Sequence, residues 1–261
     1  MNLSLEGKTA LVCGSSQGIG AAIAVELALL GANCILLARN EEKLKHVAAD
    51  LDTGSGQEHK YFPVDFNDHE STKKLMEKIL PAGAVHVLVN NSGGPAAGPI
   101  TNASADQFIQ AFHQHLLTNH MLVQLVIPGM KAAGYGRIVN VISTSVKIPL
   151  KNLGVSNTIR GAVASWAKTM ANELGQFNIT VNNVLPGSTN TERLSSLIEN
   201  TAKKQNTSIE EVEKRMQEEV PMKRFGEAHE IAAVAAFLAS PAASYVNGTS
   251  IPVDGGRTGS I

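Results

Sequence analysis

The sequence predicts a single α/β domain: a doubly wound parallel sheet of about seven strands with helices on both faces. Three observations carry that expectation. Short apolar runs alternate with helical stretches over all 261 residues. The runs are continuously apolar rather than alternating, as in strands buried on both faces. The strand–helix–strand order then repeats, which implies parallel strands joined by right-handed crossovers.

In chain order, "KTALVCG" (8–14), "NCILLAR" (33–39), "KYFPVD" (60–65), "VHVLVNN" (85–91), "GRIVNVIS" (136–143), "ITVNNVLP" (179–186) and "SIPVDGG" (250–256) read as strands. Helices are expected near 18–30, 41–52, 68–80, 104–133, 155–175 and 227–239. No linker, repeat or low-complexity segment divides residues 1–261, so one domain is expected. Residues 190–222 break the rhythm with the polar helical stretch "SIEEVEKRMQEEV". Ligands of doubly wound sheets bind beyond the carboxyl ends of the strands, so an insertion there is placed to act as a substrate lid.

Composition narrows the function. Net charge is −1, which suggests neither nucleic acid nor an anionic membrane as partner. No apolar run approaches the length of a membrane span. The opening "MNLSLEGKTALVCG" lacks the basic-then-apolar pattern of a secretory leader. Cys13 and Cys34 sit in apolar runs and read as reduced core thiols, in line with a reducing, cytoplasmic setting.

"LVCGSSQGIGAAIAVELA" joins a strand to a helix through Gly14, Gly18 and Gly20, with Ser15, Ser16, Gln17 and Ile19 completing the turn. Glycines there let the backbone approach a pyrophosphate at the positive end of a helix. Strand before, helix after and a second such unit make this a dinucleotide site. An NAD-type site places an acid at the end of the second strand, against the ribose hydroxyls. Here Ala38 and Arg39 stand instead. A guanidinium suits a 2′-phosphate, so NADP(H) is expected over NAD(H).

The chain resembles the short-chain dehydrogenase/reductase family, a Rossmann-type fold, over nearly its whole length. The glycine pattern, "VD" at Val64–Asp65, "NNSG" at Asn90–Gly93, "GRIVNVIS" ending at Ser143, "NNVLPGSTNT" at Asn182–Thr191 and "VNGTSIPVDGG" match in order and spacing. The flavour is that of the 3-oxoacyl-carrier-protein reductases. The resemblance implies that Asp65 and Phe66 flank the adenine, that Asn91 lies along the cofactor, and that Thr189 and Thr191 meet the nicotinamide end. It also implies a homotetramer built through the helices at 104–133 and 155–175 and the last strand. Two small departures stand out: Cys13 replaces a threonine, and Ser92 replaces the alanine of "NNAG".

The family's chemistry resembles a relay of serine, tyrosine, lysine and asparagine. Ser143 fits the serine. Thirteen residues on, the tyrosine position holds Ser156, and four further the lysine position holds Arg160. His115 falls where the asparagine belongs. Tyr61, Tyr135 and Tyr245 are the only tyrosines, and none lies on an element expected to face the nicotinamide. A serine hydroxyl is a far weaker acid than a phenol, and an arginine does not give up its proton. His115 is the leading proton source if it titrates near its ordinary pH 6.5. Lys147 and Lys151, in the loop after Ser143, are the next candidates. His113, His115 and His120 do not share one helix face, so no metal is expected.

Two readings follow. One is an NADP(H)-dependent oxidoreductase interconverting a carbonyl and an alcohol on a small or acyl substrate, with Ser143, Ser156, Arg160 and His115 as an altered relay. The other is a cofactor-binding family member without turnover, a sensor or assembly partner.

Overall fold

The computed structural model describes residues 1–260. Seven parallel strands form one sheet in the order β3-β2-β1-β4-β5-β6-β7. They are β1 (Thr9–Cys13), β2 (Asn33–Ala38), β3 (Lys60–Pro63), β4 (Val87–Asn90), β5 (Gly136–Val141), β6 (Ile179–Pro186) and β7 (Ser250–Val253). Each lies inside the run that predicted it. The helices are α1 (Gly18–Leu29), α2 (Glu41–Asp50), α3 (His69–Ile79), α4 (Ala105–Phe112), α5 (Thr118–Ala133), α6 (Gly154–Leu174), α7 (Glu192–Gln205), α8 (Ile209–Glu218) and α9 (Ala228–Ala239).

The central strands bury both faces, and two apolar clusters fill the space between sheet and helices. Val12, Leu36, Val89, Val139 and Val184 face α1 and α9. Leu11, Leu37, Leu88, Ile138 and Val181 face α5 and α6. Cys34 belongs to the first cluster and Cys13 to the second. Both thiols are buried and free, and burial pushes each up to about 12.

A row of amides crosses the sheet near its carboxyl end. Asn90 Nδ2 donates to Asn140 Oδ1 at 2.8 Å, and Asn140 Nδ2 to Asn183 Oδ1 at 3.0 Å. Asn183 Nδ2 then donates to Ser250 Oγ at 3.0 Å. These residues are register partners on β4, β5, β6 and β7. Buried amides must find partners, so the row pins the register beneath the loops that carry the site.

The expected helix at 104–133 departs from prediction. Between α4 and α5 the chain makes a π turn, His113–Leu117. Thr118 Oγ1 lies 3.1 Å from His113 O, 3.0 Å from Phe66 O and 2.7 Å from His69 Nε2. These tertiary contacts hold the widened turn, which rotates His115 into the interior, where it is 1% exposed. Residues 190–222 contain α7 and α8, which bury Leu194, Ile198, Ala202 and Val212 in a small cluster with Phe225. No helix among the described residues is long and apolar enough to cross a membrane.

Candidate functional site

A cleft of about 680 Å³ runs along the carboxyl ends of the strands. Ser16, Gln17, Gly18, Ile19, Ala38, Arg39, Lys43, Asp65, Phe66, Asn91, Ser92, Thr191 and Arg193 are among its walls. Sequence reasoning named most of these; Lys43 and Arg193 it did not, and Ser92 it noted only as a departure from a motif. Lys43 stands in the first turn of α2, which opens with its cap Asn40 directly after Arg39, a position that could have revealed it.

The glycine turn is built for close approach. Gly14 and Gly18 adopt φ of +61° and +58°, which favour glycine. A Cβ on Gly14 would stand 2.6 Å from Asn91 O, and one on Gly20 only 2.1 Å from Gly14 O. Asn91 Nδ2 donates to Gly14 O at 3.1 Å and Cys13 O at 3.3 Å, locking β4 to the turn. α1 starts without a side-chain cap, whereas Asn40, Asp68, Ser104, Thr191 and Ser208 cap α2, α3, α4, α7 and α8. Its first-turn N–H groups are left to a ligand. This cradle fits a dinucleotide pyrophosphate, and the exposed Arg39 and Lys43 fit a phosphate further out.

Two expected contacts turn away. Ser15 is buried and its Oγ donates to Val12 O at 2.9 Å. Thr189 is buried and its Oγ1 donates to Gly187 O at 3.1 Å. Neither is on the cleft wall; both shape the turns that carry their neighbours. Gly20 likewise serves by packing on Gly14 rather than by lining the cleft.

The chemical end is more enclosed. Ser143 follows β5, half-buried, and its Oγ accepts from Ser145 N at 3.1 Å. Ser156 (7% exposed) and Arg160 (8%) lie one turn apart on α6. Arg160 Nη1 donates to Val141 O at 3.2 Å, fixing the guanidinium just before Ser143. Burial, then Arg193, lower the Arg160 pKa to about 10, which leaves it charged at neutral pH. His115 Nδ1 lies 2.8 Å from Ser92 Oγ. His115 Nε2 is buried without a partner.

His115 does not titrate near 6.5. Burial, then the charges of Arg160 and Arg193, lower its pKa to about 2. The ring is neutral at working pH and has no imidazolium proton to give. Lys147 and Lys151 are exposed on their loop. The tyrosines lie elsewhere. Tyr135 precedes β5 and donates to Ala239 O at 2.6 Å, Tyr61 is on β3, and Tyr245 is fully exposed. β5 separates Tyr135 from Ser143 by roughly 20 Å.

The first turn of α7 ties the cleft together. Glu192 accepts from Gln17 Nε2 at 2.8 Å and pairs with Lys43 Nζ at 3.0 Å. Its neighbour Arg193 donates across the opening to Gly94 O at 3.0 Å and Pro95 O at 3.3 Å. A second, smaller cavity lies nearby, lined by Ser145, Leu150, Gly154 and Asn157. Ser143, Ser156, Arg160 and His115 line neither cavity; their neighbours Ser145, Ser92 and Arg193 do.

Comparison with known proteins agrees with this architecture. The family model described as enoyl-(acyl carrier protein) reductase matches residues 14–258. The NADPH-dependent reductase BacG of Bacillus subtilis (strain 168) is 33% identical over 257 residues, 97% of this chain and 99% of that protein. The crystal structure of L-sorbose reductase from Gluconobacter frateurii, complexed with NADPH and L-sorbose, superposes with a TM-score of 0.93 at 29% identity, covering both chains fully. A solved short chain dehydrogenase/reductase family protein matches at 30% identity and TM-score 0.82, covering 97% of each chain. With a family model over almost its whole length, relatives of this similarity and the same glycine turn, the chain belongs to the short-chain dehydrogenase/reductase family.

Proposed function

We propose that this protein is an NADP(H)-dependent oxidoreductase that interconverts a carbonyl and an alcohol on a small or acyl substrate. The observation that carries the reading is the cleft itself. It has a glycine cradle with Arg39 and Lys43 beyond it, and its wall residues Ser92 and Arg193 border the buried group of His115 and Arg160, which lies beside the end of β5 and Ser143. The NADPH of BacG and of the L-sorbose reductase crystal supports the cofactor preference.

When bound, a reduced nicotinamide supplies the hydride. The protein supplies position and charge. Ser143 Oγ accepts from Ser145 N, which leaves its own O–H free to donate to a carbonyl oxygen. Arg160 is charged and preorganised by Val141 O, so it holds ribose hydroxyls and favours negative charge developing near Ser143. Ser156, small and buried, positions a water or a substrate group. Neutral His115 holds Ser92 and the start of the loop at Gly93. The alkoxide left by hydride transfer takes its proton from water reaching the open cleft, and the hydroxide is neutralised by bulk solvent, because burial and the two arginines keep His115 neutral. α7 and α8 act as the lid. Ile109 and Phe112, exposed on α4, support assembly of a homotetramer through that face.

The loss of His115 as an acid favours one other reading, a family member that binds NADP(H) without turnover. Titration of NADPH by fluorescence, then a panel of carbonyls and alcohols followed by nicotinamide absorbance, separates the two. Binding with turnover establishes the reductase, and binding without turnover the sensor or assembly partner. Absence of binding overturns both.

A further inference from the structure

We propose that Arg160 and Arg193 form an anion-binding subsite, and that the substrate carries a carboxylate beside its reacting carbonyl, as an oxo acid does. This rests on the reading of the site as a carbonyl reductase.

The chain contains a direct contrast. Arg137 is also buried, at 1% exposure, and its guanidinium is used up by protein. It donates to Gly136 O at 2.8 Å, Asn178 O at 3.1 Å and Ser240 O at 3.5 Å, and it stacks 4.1 Å from the Tyr135 ring centre. That is an arginine serving the fold. Arg160, almost as deeply placed, makes a single protein hydrogen bond, to Val141 O. Most of its five donors are left over.

No carboxylate offsets it. None of the ion pairs among the described residues includes Arg160 or Arg193. The groups near enough to act on Arg160 and His115 are positive: each feels Arg193, and His115 also feels Arg160. The closest acid in sequence, Glu192, is turned to the far wall, where Gln17 and Lys43 hold it. A buried cation without a counter-ion is costly, so a site that keeps Arg160 buried and sets the exposed Arg193 near it has a use for an anion from outside.

The anionic parts of the proposed cofactor have other partners. The cradle and the uncapped start of α1 suit the pyrophosphate, and Arg39 and Lys43 suit a 2′-phosphate. Arg193 points the other way, to Gly94 and Pro95 on the loop after β4. Its side chain is exposed and its bonds are to neutral carbonyls, which a carboxylate can displace. His115, held neutral, adds no negative charge and leaves Nε2 unpartnered in the same positive neighbourhood.

The test begins with NADPH affinity in wild type and Arg193→Gln, by fluorescence titration. Oxamate and malonate are then titrated calorimetrically into each NADPH complex. Wild type is expected to bind at least one of these anions saturably, and Arg193→Gln to bind it about tenfold or more weakly, a larger loss than any in its NADPH affinity. Straight-chain 2-oxo and 3-oxo acids are also compared with their methyl esters as substrates, and the acids are expected to have the higher kcat/KM. Anion binding absent in wild type, or equal in the variant, overturns the subsite. So does a tenfold loss of NADPH affinity in Arg193→Gln with anion binding unchanged, which would assign the arginine to the pyrophosphate. Esters reduced in preference to acids overturn the subsite and leave the reductase reading standing. Failure of wild type to bind NADPH overturns that reading instead.

Discussion

The two ends of the cleft are built differently. At the dinucleotide end, backbone does the work. Gly14, Gly18 and Gly20 are fixed by contacts as close as 2.1 Å for an added Cβ, and the candidate binding groups are the N–H donors of a helix start without a side-chain cap. At the chemical end the candidate groups are side chains, Ser143, Ser156, Arg160 and His115. A backbone site tolerates almost no change. A side-chain site can be rebuilt on the same frame, so intact glycines say little about the reaction beside them.

Four measurements sharpen or break this comparison. The largest effect is expected at Ser143. Ser143→Ala should lower turnover on the best substrate by about 2.7–4 kcal/mol while NADPH affinity holds. Equal losses in both would erase the distinction between the two ends. Arg160→Ala comes next, weakening NADPH binding by about 1.5–3 kcal/mol through lost charge-assisted hydrogen bonds. Calorimetry giving wild-type affinity would place Arg160 wholly on the substrate side.

The third concerns pH. His115 has a folded pKa of about 2, below its unfolded value near 6.5, so the folded chain takes up fewer protons than the unfolded one between them. Its contribution to stability is complete above pH 6.5 and fades as pH falls towards 2, costing about 2 kcal/mol by pH 5. Urea denaturation at pH 7.5 and 5 should register that slope in wild type and lose it in His115→Gln. For the same reason His115→Ala should leave the neutral region of the pH–rate profile unchanged in shape. A limb that disappears with the imidazole would restore the histidine as acid.

The smallest effect is at the outer rim. Arg39→Ala should cost NADPH about tenfold in affinity, or ~1.4 kcal/mol, and spare NADH, with Lys43 retaining part of the preference. Equal losses for both nucleotides would mean that Arg39 does not meet a 2′-phosphate.

The sheet was legible because its strands write themselves as short, largely apolar runs, buried in the centre of the sheet and only partly buried at the edge strands β3 and β7. The glycine cradle was legible because its spacing follows from backbone geometry. Side-chain direction was not. Ser15 and Thr189 sit in the right loops and face inward, a choice made by the local carbonyls of Val12 and Gly187. The π turn was hidden because residues 104–133 carry ordinary helical periodicity, and the extra residue is held by Thr118 reaching Phe66 and His69, far away in sequence. The titration of His115 was misjudged for the same reason: its depth follows from that turn, and one of its charged neighbours, Arg193, lies on a segment read only as a lid. Arg193 itself gave no signal, since its bonds span 99 and 98 residues to Gly94 and Pro95.

Glu192 and Arg193 are adjacent in the chain and fastened to opposite banks of the cleft. Anchored to both banks by these two fastenings on one turn, the start of α7 is placed to close over whatever occupies the cleft, as a two-point clasp would. Both are exposed and rely on charge, and dissolved salt weakens such contacts. Rising ionic strength therefore loosens the clasp while it screens the attraction between Arg39, Lys43 and an anionic dinucleotide. Exchange rates should carry both signatures: association slowed by lost steering, and dissociation quickened by a clasp that opens more often.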